Sequence, residues 1–198
     1  MKHEPIVMKR RGMIAAFASF RRHRGGASAV EFALVLPLFG LILAGVADFG
    51  GALYAKFGLD SAVAAAANYA LVNATNVNST SGASLATNLA TILASARATN
   101  WATGTVVVNN GPSATVNSSG TVTSGGTASK ADLYYCPTGS GASVAWGSSV
   151  AQGVSCTGGG TAGKFITIVA RRSYNPIFSS YGLVKNGTIT AAAVVQAQ

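Results

Sequence analysis

Twenty-one consecutive residues, Ala27 to Ala47 (ASAVEFALVLPLFGLILAGVA), hold a single charged side chain, Glu31. As a helix rising about 1.5 Å per residue, the run reaches about 31 Å, the thickness of a bilayer's hydrocarbon core. Residues 27–48 are therefore expected to form a transmembrane helix. A secretory signal peptide competes with this reading, but its apolar region is usually about 7 to 15 residues long. Here the run is longer, carries a glutamate near its start, and leads into sequence that keeps helical character.

The charge pattern agrees with an anchor. The formal net charge is +9, and seven of the fourteen basic residues (Lys2, Lys9, Arg10, Arg11, Arg21, Arg22 and Arg24) precede position 25. Beyond Gly26 seven basic residues face four acidic ones, Glu31, Asp48, Asp60 and Asp132. The basicity thus belongs to a leader, residues 1–26, and not to a nucleic-acid-binding surface. A basic cluster directly before an apolar run holds the N-terminus in the cytoplasm and sends the downstream chain outward. The lipid bilayer is the partner this implies; nucleic acid is not. Only 10% of the 198 residues are charged, against about 25% in ordinary soluble domains. That length leaves room for one modest domain besides the anchor.

Past Ala47 the sequence stays helical in character to about Val72. Phe49, Leu53 and Phe57 recur at i, i+4 and i+8, with Asp48, Lys56 and Asp60 beside them, which predicts one helix over residues 28–72. Gly50, Gly51 and Gly58 each weaken that helix by about 1 kcal/mol relative to alanine, or else mark close contacts. A polar turn, Asn73 to Gly82, leads to a second amphipathic helix, Ser84 to Arg97, with Leu85, Leu89, Ile92, Leu93 and Ala96 on one face. After Trp101 come short β-type runs: Thr105–Val108, Ala114–Val116, Thr121–Thr123, Leu133–Tyr135, Phe165–Val169 and Thr188–Val195. Segments 109–129 and 138–163 hold few large apolar residues and are expected as surface loops. The expected fold class is α+β: a transmembrane helix continuing into an extracytoplasmic helical region, 49–100, and a β-rich region, 101–198, with a small antiparallel sheet.

Chemistry-bearing residues are scarce. The two histidines, His3 and His23, lie in the leader, which makes zinc improbable, and no G-x-S-x-G elbow occurs. We expect neither an enzyme nor a cofactor. Gly158, Gly163 and Lys164 have the spacing of a phosphate loop, but Phe165 stands where a Ser or Thr would bind magnesium, and a strand is predicted next. Arg171 and Arg172, at the end of that strand, read as a solvated edge. The two cysteines, Cys136 and Cys156, lie in the part expected to be exported, where a bridge between them would persist. They are either paired, closing a loop of about twenty residues, or two free thiols. Trp101, Tyr134, Tyr135, Trp146 and Tyr174 are expected as core. Were they exposed, they would suit an anchored adhesin or carbohydrate-binding module, the alternative function.

The sharpest local feature is Gly26-Ala-Ser-Ala-Val-Glu31-Phe32. Cleavage of the Gly26–Ala27 bond would give a new α-amine at Ala27 and leave Glu31 as the fifth residue of an apolar helix. A lone carboxylate in lipid requires a partner, and the amine of a neighbouring copy is a candidate. Glu31 could equally sit at the membrane interface, favoured by the helix dipole. Pro37 removes one helix hydrogen bond, which predicts a kink.

The stretch RRHRGGASAVEFALVLPLFGLILAGVADFGGALY resembles the N-terminus of TadE-like proteins of the tight-adherence (Flp) pilus system, through Glu31, Phe32, Pro37, Asp48, Phe49 and Gly50. The resemblance covers about 50 residues. It implies a minor pseudopilin trimmed by a prepilin peptidase at Gly26, with other pilins or pseudopilins and the Tad secretion machinery as partners. Phe165 to Pro176, a strand followed by Tyr174 and a proline, is similar to the later part of many TadE-like chains.

Overall fold

The computed structural model describes residues 25–96, 101–178 and 183–198. The expected leader lies outside these up to residue 24, and so does Arg97, the expected end of the second helix. The described residues fall into two compact units, divided between Val46 and Ala47. It is an α+β protein with a long N-terminal apolar helix, a second helix, a five-stranded antiparallel sheet and a two-stranded one. The helical stretch 49–100 and the β-rich stretch 101–198 fall within one unit.

Helix α1 spans Gly25–Val72, and Pro37 lies inside it without breaking the assignment. In the first unit every side chain from Ser28 to Leu43 is exposed, on all sides of the helix. Leaving such side chains in water forgoes about 1.5 to 3 kcal/mol for each large one. A helix apolar all round belongs in a core or in lipid, and this one is a candidate single membrane span.

In the second unit α1 buries Asp48, Ala52, Ala55, Leu59, Ala62, Val63, Ala66 and Ala70, spaced three or four apart as one helix face requires. This is not the face expected from the large apolar residues: Phe49 is 43% and Phe57 65% exposed. The reason is steric. Alanines let the helix approach closely, and the bulk that fills the core comes from isoleucine, valine and leucine on the elements it meets.

A turn comes next, in which Asn78 Oδ1 accepts hydrogen bonds from the amides of Thr80 and Ser81 at 3.0 and 2.8 Å. Helix α2 spans Gly82–Ser95 and buries Gly82, Leu85, Ala86, Leu89, Ala90 and Leu93. Compared with the expected face, Ile92 is only half-buried and Ala96 exposed; the pairs 85/86 and 89/90 carry the contact.

The main sheet comprises β1 (Thr103–Val108), β2 (Pro112–Val116), β3 (Val122–Gly126), β6 (Phe165–Ser173) and β7 (Thr188–Gln196), in the order β3-β2-β1-β6-β7. Strands β4 (Thr138–Ser140) and β5 (Ser143–Ala145) form a separate hairpin. Register places Val106 opposite both Ala114 and Ile168, and Ile168 opposite Ala193. Alternate residues of each strand thus reach the same face. Val106, Val108, Ile166, Ile168, Ile189 and Ala191 join the helices in one core. On the opposite face Thr167 and Val169 border a cavity shared with Val144 and Trp146 of the irregular segment 133–163.

Two expectations need correction. The β-type runs 114–116 and 121–123 form strands, within β2 and, from Val122, β3, so residues 109–129 are not the surface loop also expected there; β2 and β3 pair residue by residue with β1 and each other, and ladder bonds and a tight turn at Asn109 and Asn110, with φ of 49° and 54°, substitute for apolar mass. Leu133–Tyr135 is not a strand but makes isolated bridges, Tyr134 to Val150 and Tyr135 to Gly163. A short 3-10 helix, Ala128–Asp132, delivers the chain there. Segment 138–163 is largely irregular and exposed, apart from the β4–β5 hairpin.

Candidate functional site

The residues of the N-terminal motif all lie on α1. Gly26 and Ala27 are in its first turn, where backbone amides lack partners one turn earlier, and nothing lies within 4 Å of where a Cβ on Gly26 would be. Glu31 and Phe32 come about one and a half turns on, both exposed, with Pro37 beyond them. The two features that carry the family resemblance, the helix and the Tyr174 region, meet at Asp48. Its side chain is 5% exposed and accepts hydrogen bonds from the Tyr174 hydroxyl at 3.2 Å and the Phe178 amide at 2.9 Å. The same hydroxyl reaches the Asp48 carbonyl at 2.7 Å. Gly51, one turn along, lies under the ring: a Cβ there would come within 2.7 Å of the Tyr174 oxygen.

Residues 26–68 match the TadE-like protein family. No curated protein and no solved structure matches the chain. The TadE-like segment lies wholly within α1. It takes in the exposed apolar run, Asp48 but not its partners Tyr174 and Phe178, and most of the buried alanine face, and it ends before the sheet begins.

Within this clasp the Tyr174 hydroxyl is pushed above its ordinary value by burial and then by its bond to Asp48. The fold therefore favours the neutral phenol. That contribution is complete below about pH 10, where an unfolded tyrosine titrates, and is lost as pH rises through the folded value. Stability measured by denaturant titration is expected to fall above about pH 10, and Tyr174→Phe to make that fall shallower. An unchanged alkaline profile in Tyr174→Phe would show that the clasp is not what titrates.

The remaining candidates take other places. Cys136 and Cys156 form a disulfide with Cα atoms 5.5 Å apart, tying the two ends of segment 136–156. Lys164 turns away from the glycines that precede it: its buried ammonium donates to the Val77 carbonyl at 3.0 Å and lies 5.5 Å from the centre of the Tyr134 ring. With β6 starting at Phe165, the loop before it makes no phosphate cradle of the kind its spacing resembles. Arg171 and Arg172 lie within β6, an interior strand and not an edge, because β7 pairs along its whole length. Arg172 is placed 5.1 Å over the Trp101 ring. The aromatic residues do not form one platform: Tyr135 packs edge-on against Trp146 at 5.9 Å, while Trp101, Tyr134 and Tyr174 each serve a separate contact.

One residue with no sequence motif to mark it proves central to the second unit. Asn109, fully buried, donates through Nδ2 to the carbonyls of Ala131 at 3.0 Å and Leu133 at 2.6 Å, and accepts from the Phe165 amide at 3.2 Å. The only signal in the sequence is the Asn109-Asn110-Gly111 run, typical of a left-handed turn.

Proposed function

We propose that this chain is a minor pseudopilin-like membrane protein that contributes to assembly of a Flp/Tad-type pilus and to surface adherence. The TadE-like match over residues 26–68 supports this most directly, since a TadE-like segment implies a role in a Tad pilus system. The finer reading draws on the chemistry of Gly26 to Phe32. The basic leader keeps the N-terminus cytoplasmic, α1 crosses the inner membrane, and the second unit is exported. A prepilin peptidase cuts after Gly26, a bond in a helix turn that is cheap to open because it has few hydrogen bonds to lose. The new amine of Ala27 then pairs with Glu31 of a neighbouring pilin or pseudopilin, which removes the cost of a lone carboxylate in lipid and sets the axial register. The task is structural and not catalytic, with the Tad machinery as the partner.

N-terminal sequencing of the protein from cells holding the cognate peptidase is expected to find Ala27 first. Glu31→Ala is expected to insert normally yet reduce pilus number at least tenfold by electron microscopy. A mature chain beginning before Ala27 would refute the cleavage, and normal pili with Glu31→Ala would reduce Glu31 to an interfacial residue.

A further inference from the structure

The five-stranded sheet ends at β7, and the hydrogen bonds around that strand fix which way each peptide group points. Thr188 exchanges both backbone bonds with Lys185 at 3.0 Å, whereas Ala197 donates to Lys164, on the β6 side, at 2.8 Å. Alternation along an antiparallel ladder then turns Ile189, Ala191, Ala193 and Val195 toward β6, and Thr190, Ala192, Val194 and Gln196 toward the open edge. Among the described residues no other strand or loop takes up these four outward groups. Three of them, Ala192, Val194 and Gln196, also line a groove of about 420 Å³ on the sheet face, together with Phe165, Val144 and the disulfide, and no charged side chain lines it.

The two edges of the sheet are unlike. β3 is five residues long and ends in Gly125 and Gly126, the latter at a φ of 84°. It is also tied to α2 through Thr87 and Ser124, whose hydroxyls are 3.0 Å apart. β7 offers nine residues, TITAAAVVQ, without charge, proline or glycine. Edges of that kind are templates for a further strand, and proteins that avoid pairing place lysine or proline there.

The strand that fits best is β7 itself. Antiparallel pairing about a two-fold axis sets the same four residues against one another. All four are neutral, so no like charges meet, and each copy lays small side chains at alternate positions beside the other's uncharged groove. A charged strand would leave its charges unmatched in that groove. We propose that β7 pairs antiparallel with β7 of a second copy of this chain, joining two sheets into one. Copies held by α1 in one bilayer would meet at raised effective concentration. That concentration effect rests on the membrane reading, but the strand pairing does not.

The test uses the full chain in detergent micelles. Sedimentation is expected to give a dimer, and the amides of Thr190, Ala192, Val194 and Gln196 to exchange slowly by NMR. Val194→Lys, which sets two positive charges across the axis, and Ala192→Pro, which removes only an outward N–H, are each expected to weaken dimerisation at least tenfold. In both, Ala191 and Ala193 should stay protected, showing that the sheet is intact. A monomeric wild type would overturn the proposal, whether its edge amides exchange fast or are protected within one chain. So would a dimer that survives Val194→Lys, which would assign association to α1. Processing at Gly26 is unaffected by either variant, so the pilus reading stands or falls separately.

Discussion

Replacing Asn109 by alanine is expected to destabilise the second unit by about 4 kcal/mol. Its side-chain hydrogen bonds to the Ala131 and Leu133 carbonyls and from the Phe165 amide together account for about 3 kcal/mol, at about 1 kcal/mol each. Alanine must also hold a left-handed backbone, at φ 49°, for about 1 kcal/mol more. Asn110 provides the control. It has φ 54° and none of those bonds, so Asn110→Ala is expected to cost only about 1 kcal/mol. Urea titration of both variants measures the difference, and equal losses would show that the network contributes nothing beyond turn geometry.

Converting both Cys136 and Cys156 to serine is expected to cost about 3 kcal/mol, the loop entropy the bridge removes from the unfolded chain for a sequence separation of 20. The damage should be local. Segment 133–163 has little regular structure beyond one hairpin, so its amides are expected to lose protection while those of β1 and β6 keep theirs. If the double variant melted the whole sheet at once, the segment would be part of the core rather than a lobe stapled onto it.

How far the chain could be read from its sequence depends on where the information sits. The apolar run declares itself by length and lack of charge, and the second helix and most strands through periodicity, since each of these buries one face. The burial of α1 did not, because the large residues Phe49 and Phe57 draw the eye while the packing surface is alanine, legible only once its partner is known. β2 and β3 show in sequence only as the short runs 114–116 and 121–123, because ladder register and not apolar mass holds the small residues around them. At the candidate site, Glu31, Asp48 and the TadE-like pattern were visible in one stretch. The bond between Asp48 and Tyr174 was not, because 126 residues separate them and no local pattern encodes a contact that distant. The sequence alone argues against Lys164 as a phosphate-loop lysine, because Phe165 follows it, but does not make its burial legible: its ammonium satisfies the carbonyl of Val77, 87 residues away.

The Asp48 clasp also has a consequence in time. Asp48 is made early, and the Tyr174 hydroxyl that caps it emerges 126 residues later, about 6 to 25 s at ordinary rates of synthesis. Throughout that interval the end of the apolar run carries an aspartate without this cap, and any chain that stops short of Tyr174 keeps it so. The clasp closes only on a molecule made at least as far as Phe178, so a chain that stops before Tyr174 lacks it at the place where the apolar run ends.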